Sequence, residues 1–197
     1  MSASRKSRAE PAVPEDEARL YSRALRLLAA HDRTALDLRR RLERHGEPGT
    51  VTRVLARLEG QGYLDDRRFA QAWTEREAIE RGAGARLVRA GLRAHGVGEA
   101  IVAEAAARAG DAEAQTALAL ARKAAARMGG LPAETRVRRL AAQLARRGYR
   151  PAVVYQAVRA ALTDARLGEA GESALEGLAA VDDSAGPDTG AEDEPGV

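Results

Sequence analysis

The chain has 197 residues, 45% of them apolar and only 3% aromatic, and its richness in alanine and leucine favours helix in one domain or in an array of small units. With no cysteine, disulfides and thiolate zinc sites are excluded and a reducing cytosol suffices. The formal charge of +3 hides a division near residue 163: ten acids against Arg166 alone leave residues 164–197 at −9, and the preceding residues at +12. A basic body with an acidic tail fits contact with a polyanion or an acidic protein surface. No run of 18 apolar residues occurs, and MSASRKSRAEPAVPEDE lacks the apolar centre of a secretory signal, so a soluble, cytoplasmic protein without membrane contact is expected.

In chain order, residues 1–14 read as a disordered extension, being polar and without periodicity. Arg19 to Ala30 is a first helix, and L38-RRR-L42-ERH-G46 a second, with Thr34 as its N-cap and Asp37 three residues on. After Gly46 comes T50-VTRVLARLEG, where Val51, Val54, Leu55 and Leu58 share one helical face and Thr50 is the expected N-cap. The same sequence of signals returns twice. Phe69 to Glu80, V88-RAG-L92-RAH-G96 and V97-GEAIVAEAAARA form a second set. Ala114 to Met128 (closed by Gly129-Gly130), L140-AAQ-L144-ARR-G148 and Y149-RPAVVYQAVRAAL, with Pro151 in the first turn, form a third. The three glycines stand 50 and 52 residues apart, each where a helix takes a left-handed C-cap. The predicted fold is all-α, an elongated array of three tandem three-helix repeats (15–62, 63–110 and 111–167) that stack because each buries little alone. Residues 168–197 read as an acidic, disordered tail.

In G62-YLDDRRFA, adjacent acids raise the question of chemistry. Asp65 suits an N-cap, Asp66 the positive end of the helix macrodipole, and Leu64 and Phe69 have hydrophobic-staple spacing. No further ligand stands at a useful spacing, so the stretch reads as architecture. His45 and His95 precede equivalent glycines, with Arg147 in the matching third place, which suits helix ends better than a metal cluster. GAGAR at 82–86 follows a helix and lacks the Gly-Lys-Ser/Thr of a phosphate loop, and it reads as a hinge leading into a helix. The six serines lie mostly towards the ends, without a partnered base. No catalytic residue, metal site or cofactor is expected.

The cations carry the functional signal. Asp37 pairs with Arg41 at i,i+4 and Arg39 with Glu43, whereas Arg40 and Arg44 have no such partner. Arg86, Arg89 and Arg93 share a face of the second unit; Arg136, Arg138, Arg139, Arg146, Arg147 and Arg150 crowd one helix and its exit in the third. Recurrence in three units points to a surface that contacts phosphates or a partner's carboxylates. Of only six aromatics, at least Tyr21, Phe69 and Trp73 sit at core-like helical positions, so base stacking on single strands is not supported.

Residues 18–162, with L38-RRRLERHG, L58-EGQGYLDDRRFA70, R81-GAGARLVRAGLRAHGV97 and R139-LAAQLARRGY149 in that order, resemble successive segments of the RecX family of recombination regulators. The most distinctive piece, G62-YLDDRRFA, is similar to that family's Leu-Asp-Asp-x-x-Phe-Ala signature. The resemblance implies three-helix repeats lying along the groove of the RecA filament on single-stranded DNA; a monomer with weak direct DNA contact is the accompanying expectation. It further implies inhibition of recombinase, ATPase and co-protease activities. The alternative is a stand-alone DNA-binding protein, since three-helix units resemble helix-turn-helix domains. Gly91 departs from the pattern, standing where the family commonly has a charged helix former, and the acidic tail extends beyond it.

Overall fold

The computed structural model describes residues 14–163 and 167–180, and every regular element among them is helical. The chain runs α1 (Glu15–Ala30), α2 (Ala35–Leu42), α3 (Pro48–Gly60), α4 (Asp66–Thr74), a π-helical continuation Glu75–Glu80, α5 (Ala85–Ala94) and α6 (Glu99–Asp111), then α7 (Glu113–Ala125), α8 (Ala133–Arg146), α9 (Pro151–Ala161) and α10 (Gly168–Ala179). Three apolar cores follow one another. Leu38, Leu42, Val51, Val54, Leu55 and Leu58 fill the first; Val88, Leu92 and Val102 the second; Val137, Leu140, Leu144, Val154 and Val158 the third. The apolar pairs four apart on each middle helix face inward because i and i+4 share a helix face. The architecture is an elongated all-α array of three-helix units.

Several helix starts differ from the sequence reading for local reasons. α1 begins at Glu15, where Glu15, Asp16 and Glu17 fill the first turn and favour the positive end of the macrodipole. α3 begins at Pro48 with Glu47 at the N-cap, so Thr50 lies inside the helix; proline fits a first turn, where its missing N–H is no loss. Of the three repeat glycines, Gly96 (φ 73°) and Gly148 (φ 82°) are left-handed, but Gly46 is not among the glycines of positive φ. It is constrained by space instead: a Cβ there would lie 2.4 Å from Leu20 Cδ1. Residues 168–179 are helical, contrary to the expectation of a disordered tail from 168 onward, because Leu175 is buried in the third core and Gly171 lets α10 approach Ala133. The expectations for residues 1–13, 164–166 and 181–197 lie outside the described residues.

Successive units meet through one recurring junction. The N-terminus of each middle helix rests on the C-terminal end of the next unit's middle helix. Between the first two units, Thr34 Oγ1 donates to the His95 carbonyl at 2.6 Å while accepting from Asp37 N at 3.2 Å. A Cβ on Gly96 would lie 2.1 Å from Leu36 Cδ2. Between the second and third, Gly84 N–H donates to the Arg147 carbonyl at 2.7 Å and Arg86 N–H to the Gly148 carbonyl at 3.3 Å. A Cβ on Gly148 would lie 2.5 Å from Leu87 N. At both junctions the left-handed glycine ends a helix and also clears the next helix's approach.

An acid seals each junction. Ala35 N–H, at the start of α2, donates to Asp66 Oδ1 at 2.8 Å, and Ala85 N–H, at the start of α5, to Glu113 Oε1 at 2.6 Å. Asp66 and Glu113 are the first residues of α4 and α7. Each unit's opening acid therefore caps the previous unit's middle helix, satisfying an orphan N–H.

Candidate functional site

The G62-YLDDRRFA stretch lies at the first junction. Asp65 sits at the N-cap of α4 and accepts from Arg67 N at 2.9 Å and Arg68 N at 3.0 Å. Asp66 faces across the junction to Ala35, a role absent from the sequence reading. Its carboxyl is pushed up by burial; the Ala35 hydrogen bond pulls the other way and neighbouring Asp65 adds to the rise. Leu64 and Phe69 divide between two cores: Leu64 is buried in the first, and Phe69 packs in the second, its ring 6.1 Å from Trp73 and 5.3 Å from His95. Trp73 also explains Gly91, where a Cβ would lie 3.0 Å from Trp73 Cζ2; the indole rests against the backbone of α5.

The candidate arginines separate into structural and outward-facing groups. Arg147 Nη1 donates to the carbonyls of Arg81 and Gly82, and Tyr149 Oη donates to the latter at 3.0 Å, so both hold the end of the π-helical turn. Burial raises the Tyr149 phenol above its ordinary value. Arg150 Nε meets Glu113 Oε2 at 3.1 Å. Arg93 forms two hydrogen bonds with Glu99, at 2.9 and 2.6 Å, and these hold the Glu99 carboxyl below its usual range. Arg136 is half-buried with Nε unpaired among the described residues, and Arg86 is half-buried.

Arg40, Arg44, Arg89, Arg139 and Arg146 are exposed and make no salt bridge among the described residues; Arg44 Nε reaches only the Arg40 carbonyl, at 3.4 Å. The acids nearby are engaged elsewhere. Burial pushes the Asp37 carboxyl up, but hydrogen bonds from Arg33 (2.7 Å) and Arg41 (3.1 Å) outweigh it and leave the group below its ordinary value. Arg39 approaches Glu43 at 3.9 Å. Counting back from Gly46, Gly96 and Gly148, Arg44 and Arg146 share one register position and Arg39 and Arg89 another, while Arg40 matches Ala90 and Ala142. The cations thus occupy neighbouring rows, not one repeated position, because successive helical residues are turned by about 100°.

This constellation can bind anions: guanidinium groups presented to solvent on stacked, rigid helices make charge-assisted contacts with phosphates or carboxylates. Among the described residues no group of three or more His, Asp or Glu side chains could hold a metal ion. No helix there is long and apolar enough to cross a membrane.

Comparison with known proteins supplies the family. Residues 65–105 match the RecX second three-helix domain and residues 111–158 the RecX third three-helix domain. The regulatory protein RecX of Halorhodospira halophila is 40% identical over 82 residues, covering 41% of this chain and 50% of that one. That of Mycolicibacterium smegmatis is 35% identical over 99 residues, covering 50% and 52%. The chain thus spans about half the length of the curated relatives it matches. The crystal structure of RecX from Lactobacillus salivarius shares the fold, with a TM-score of 0.69 over 75% of this chain and 97% of that one at 17% identity. A crystal structure of regulatory protein RecX matches at a TM-score of 0.65 and 26% identity, over 74% of this chain and 73% of that one. With two adjoining RecX domains matched in sequence and the fold matched over about three quarters of the chain, the chain belongs to the RecX family of regulatory proteins.

Proposed function

We propose that the protein is a negative regulator of RecA, lying in the groove of the RecA filament on single-stranded DNA and lowering recombinase, ATPase and co-protease activities by occupancy. Exposed arginines that make no salt bridge among the described residues, Arg40, Arg44, Arg89 and Arg139, are the observation that carries this reading. A filament is a repeating polyanion and protein surface. An array whose units are joined at corresponding helix ends can meet successive protomers in turn, each contact adding through effective concentration. The contribution of cations to such binding is electrostatic and falls with salt.

The test titrates the protein into RecA ATPase assays on single-stranded DNA, alongside the variant Arg40→Gln/Arg44→Gln/Arg89→Gln/Arg139→Gln. Inhibition by the natural chain, and a large loss in the variant with unchanged helicity, is expected. No effect of the natural chain at saturation rejects the proposal. Tight binding to naked DNA that RecA does not strengthen points instead to a stand-alone DNA-binding protein.

A further inference from the structure

Between α5, α8 and the start of α9 lies a groove of about 630 Å³. Its floor is apolar, including Ala90, Ala142, Ala145 and Val154, and Leu87 at its edge is exposed. Arg86, Arg138 and Arg146 stand among its lining residues, and no acid does among the described residues. Arg138 is 75% exposed and meets Glu134 at 2.7 Å, a pair that solvent screens; Arg146 is exposed and makes no salt bridge among the described residues. An apolar trough with a cationic rim takes an acidic segment carrying small apolar groups.

We propose that the occupant is residues 181–197 of the same chain. Two observations select it. Leu178, on the last turn of α10, itself lines the groove, so the chain beyond α10 starts at the groove's edge. That continuation, VDDSAGPDTGAEDEPGV, contains six acids, no lysine and no arginine, the charge complement of the rim. Asp182 and Asp183 follow Leu178 by four and five residues, within about 14–18 Å of extended chain. Tethering holds the segment at an effective concentration of ~1 mM, so weak individual contacts suffice to fill the groove at low salt. The consequence is a self-contained competitor: the acids cover Arg146 and its neighbours until a denser anionic surface, or salt, displaces them.

The test needs no RecA. A fluorescein-labelled peptide of residues 180–197 is titrated by anisotropy, at low salt, into the full natural chain and into a full-length variant whose six acids (182, 183, 188, 192, 193 and 194) are amidated to Asn or Gln. With a free-peptide Kd of about 0.1 mM, a segment tethered at ~1 mM weakens peptide binding to the natural chain about tenfold relative to the amidated one. Adding Arg138→Gln/Arg146→Gln to the amidated chain should abolish that binding, with circular dichroism verifying the fold. Equal binding to the natural and amidated chains overturns the proposal, and so does binding that survives loss of Arg138 and Arg146, or no binding to the amidated chain at all.

Discussion

Glu113 offers the sharpest probe of how the units are joined. Its side chain is 1% exposed and holds two partners, Ala85 N–H at 2.6 Å and Arg150 Nε at 3.1 Å. Glu113→Ala removes the acceptor for the first N–H of α5 and leaves that donor inside the junction, a loss of about 1.5–3 kcal/mol for a hydrogen bond to a charged group. Arg150 is 49% exposed, so its separation adds at most about 1 kcal/mol. The combined cost of roughly 2–4 kcal/mol should lower Tm by about 4–16 °C, at 2–4 °C per kcal/mol for a chain of this size. Glu113→Gln keeps an amide oxygen for Ala85 and should cost only about 1 kcal/mol. Urea denaturation followed both by circular dichroism and by the fluorescence of Trp73, the only tryptophan, measures the cost and shows whether the second unit separates from the third. A variant in which Gln and Ala are equally destabilising would refute the cap, placing the stabilisation in the ion pair alone.

Other consequences follow from the same geometry. The Asp66 carboxyl is raised, so its contribution to stability is present below its unfolded pKa and lost as pH rises through its folded pKa; Asp66→Asn should therefore gain on the natural chain from acid to neutral pH in paired thermal melts. Asp65→Ala removes the cap of α4 and should cost about 1–2 kcal/mol in urea melts, with RecA inhibition lost only in proportion to fold. Gly91→Ala gains about 1 kcal/mol of helix propensity but places a methyl 3.0 Å from the Trp73 ring, an overpacking cost of about 1–3 kcal/mol; a lower Tm with shifted Trp73 emission is expected. In filament binding measured against salt, each exposed arginine that touches phosphate should lower the log–log slope by about 1 when neutralised.

What was legible in the sequence was local. The Asp65 cap and the first-turn Pro151 depend on neighbours within one turn, and the apolar spacing of Leu38/Leu42, Val88/Leu92 and Leu140/Leu144 depends on helix period alone. The partners of Asp66 and Glu113 lie 31 and 28 residues away, beyond any periodicity, and the two acids stand at different distances from the glycines that end their units' middle helices, 30 before Gly96 and 35 before Gly148, so the repeat register does not bring them together. Arg147 and Arg150 read as surface cations, yet their partners are a carbonyl 66 residues back and a buried carboxylate. α10 escaped notice because its glycines and glutamates outweigh two leucines in composition, and only burial of Leu175 shows why it forms. The departure at Gly91 was visible in the sequence, but its reason, the Trp73 ring packed where a side chain would stand, was not.

The junctions described above join main-chain groups to one another (Gly84 to Arg147, Arg86 to Gly148) or to a few side chains, Thr34, Asp66 and Glu113. Apart from those three side chains and the glycines that clear the approach, Gly96 and Gly148, the contact is indifferent to substitution, so outward side chains are free to diverge while the spacing of the units stays fixed. Insertions are another matter. One residue added within α5 would turn its start by about 100° and carry it about 1.5 Å along the axis, moving Gly84 out of line with Arg147. Such a chain should accept new surface chemistry readily, and changes of length only between junctions, as a ruler tolerates repainting but not stretching.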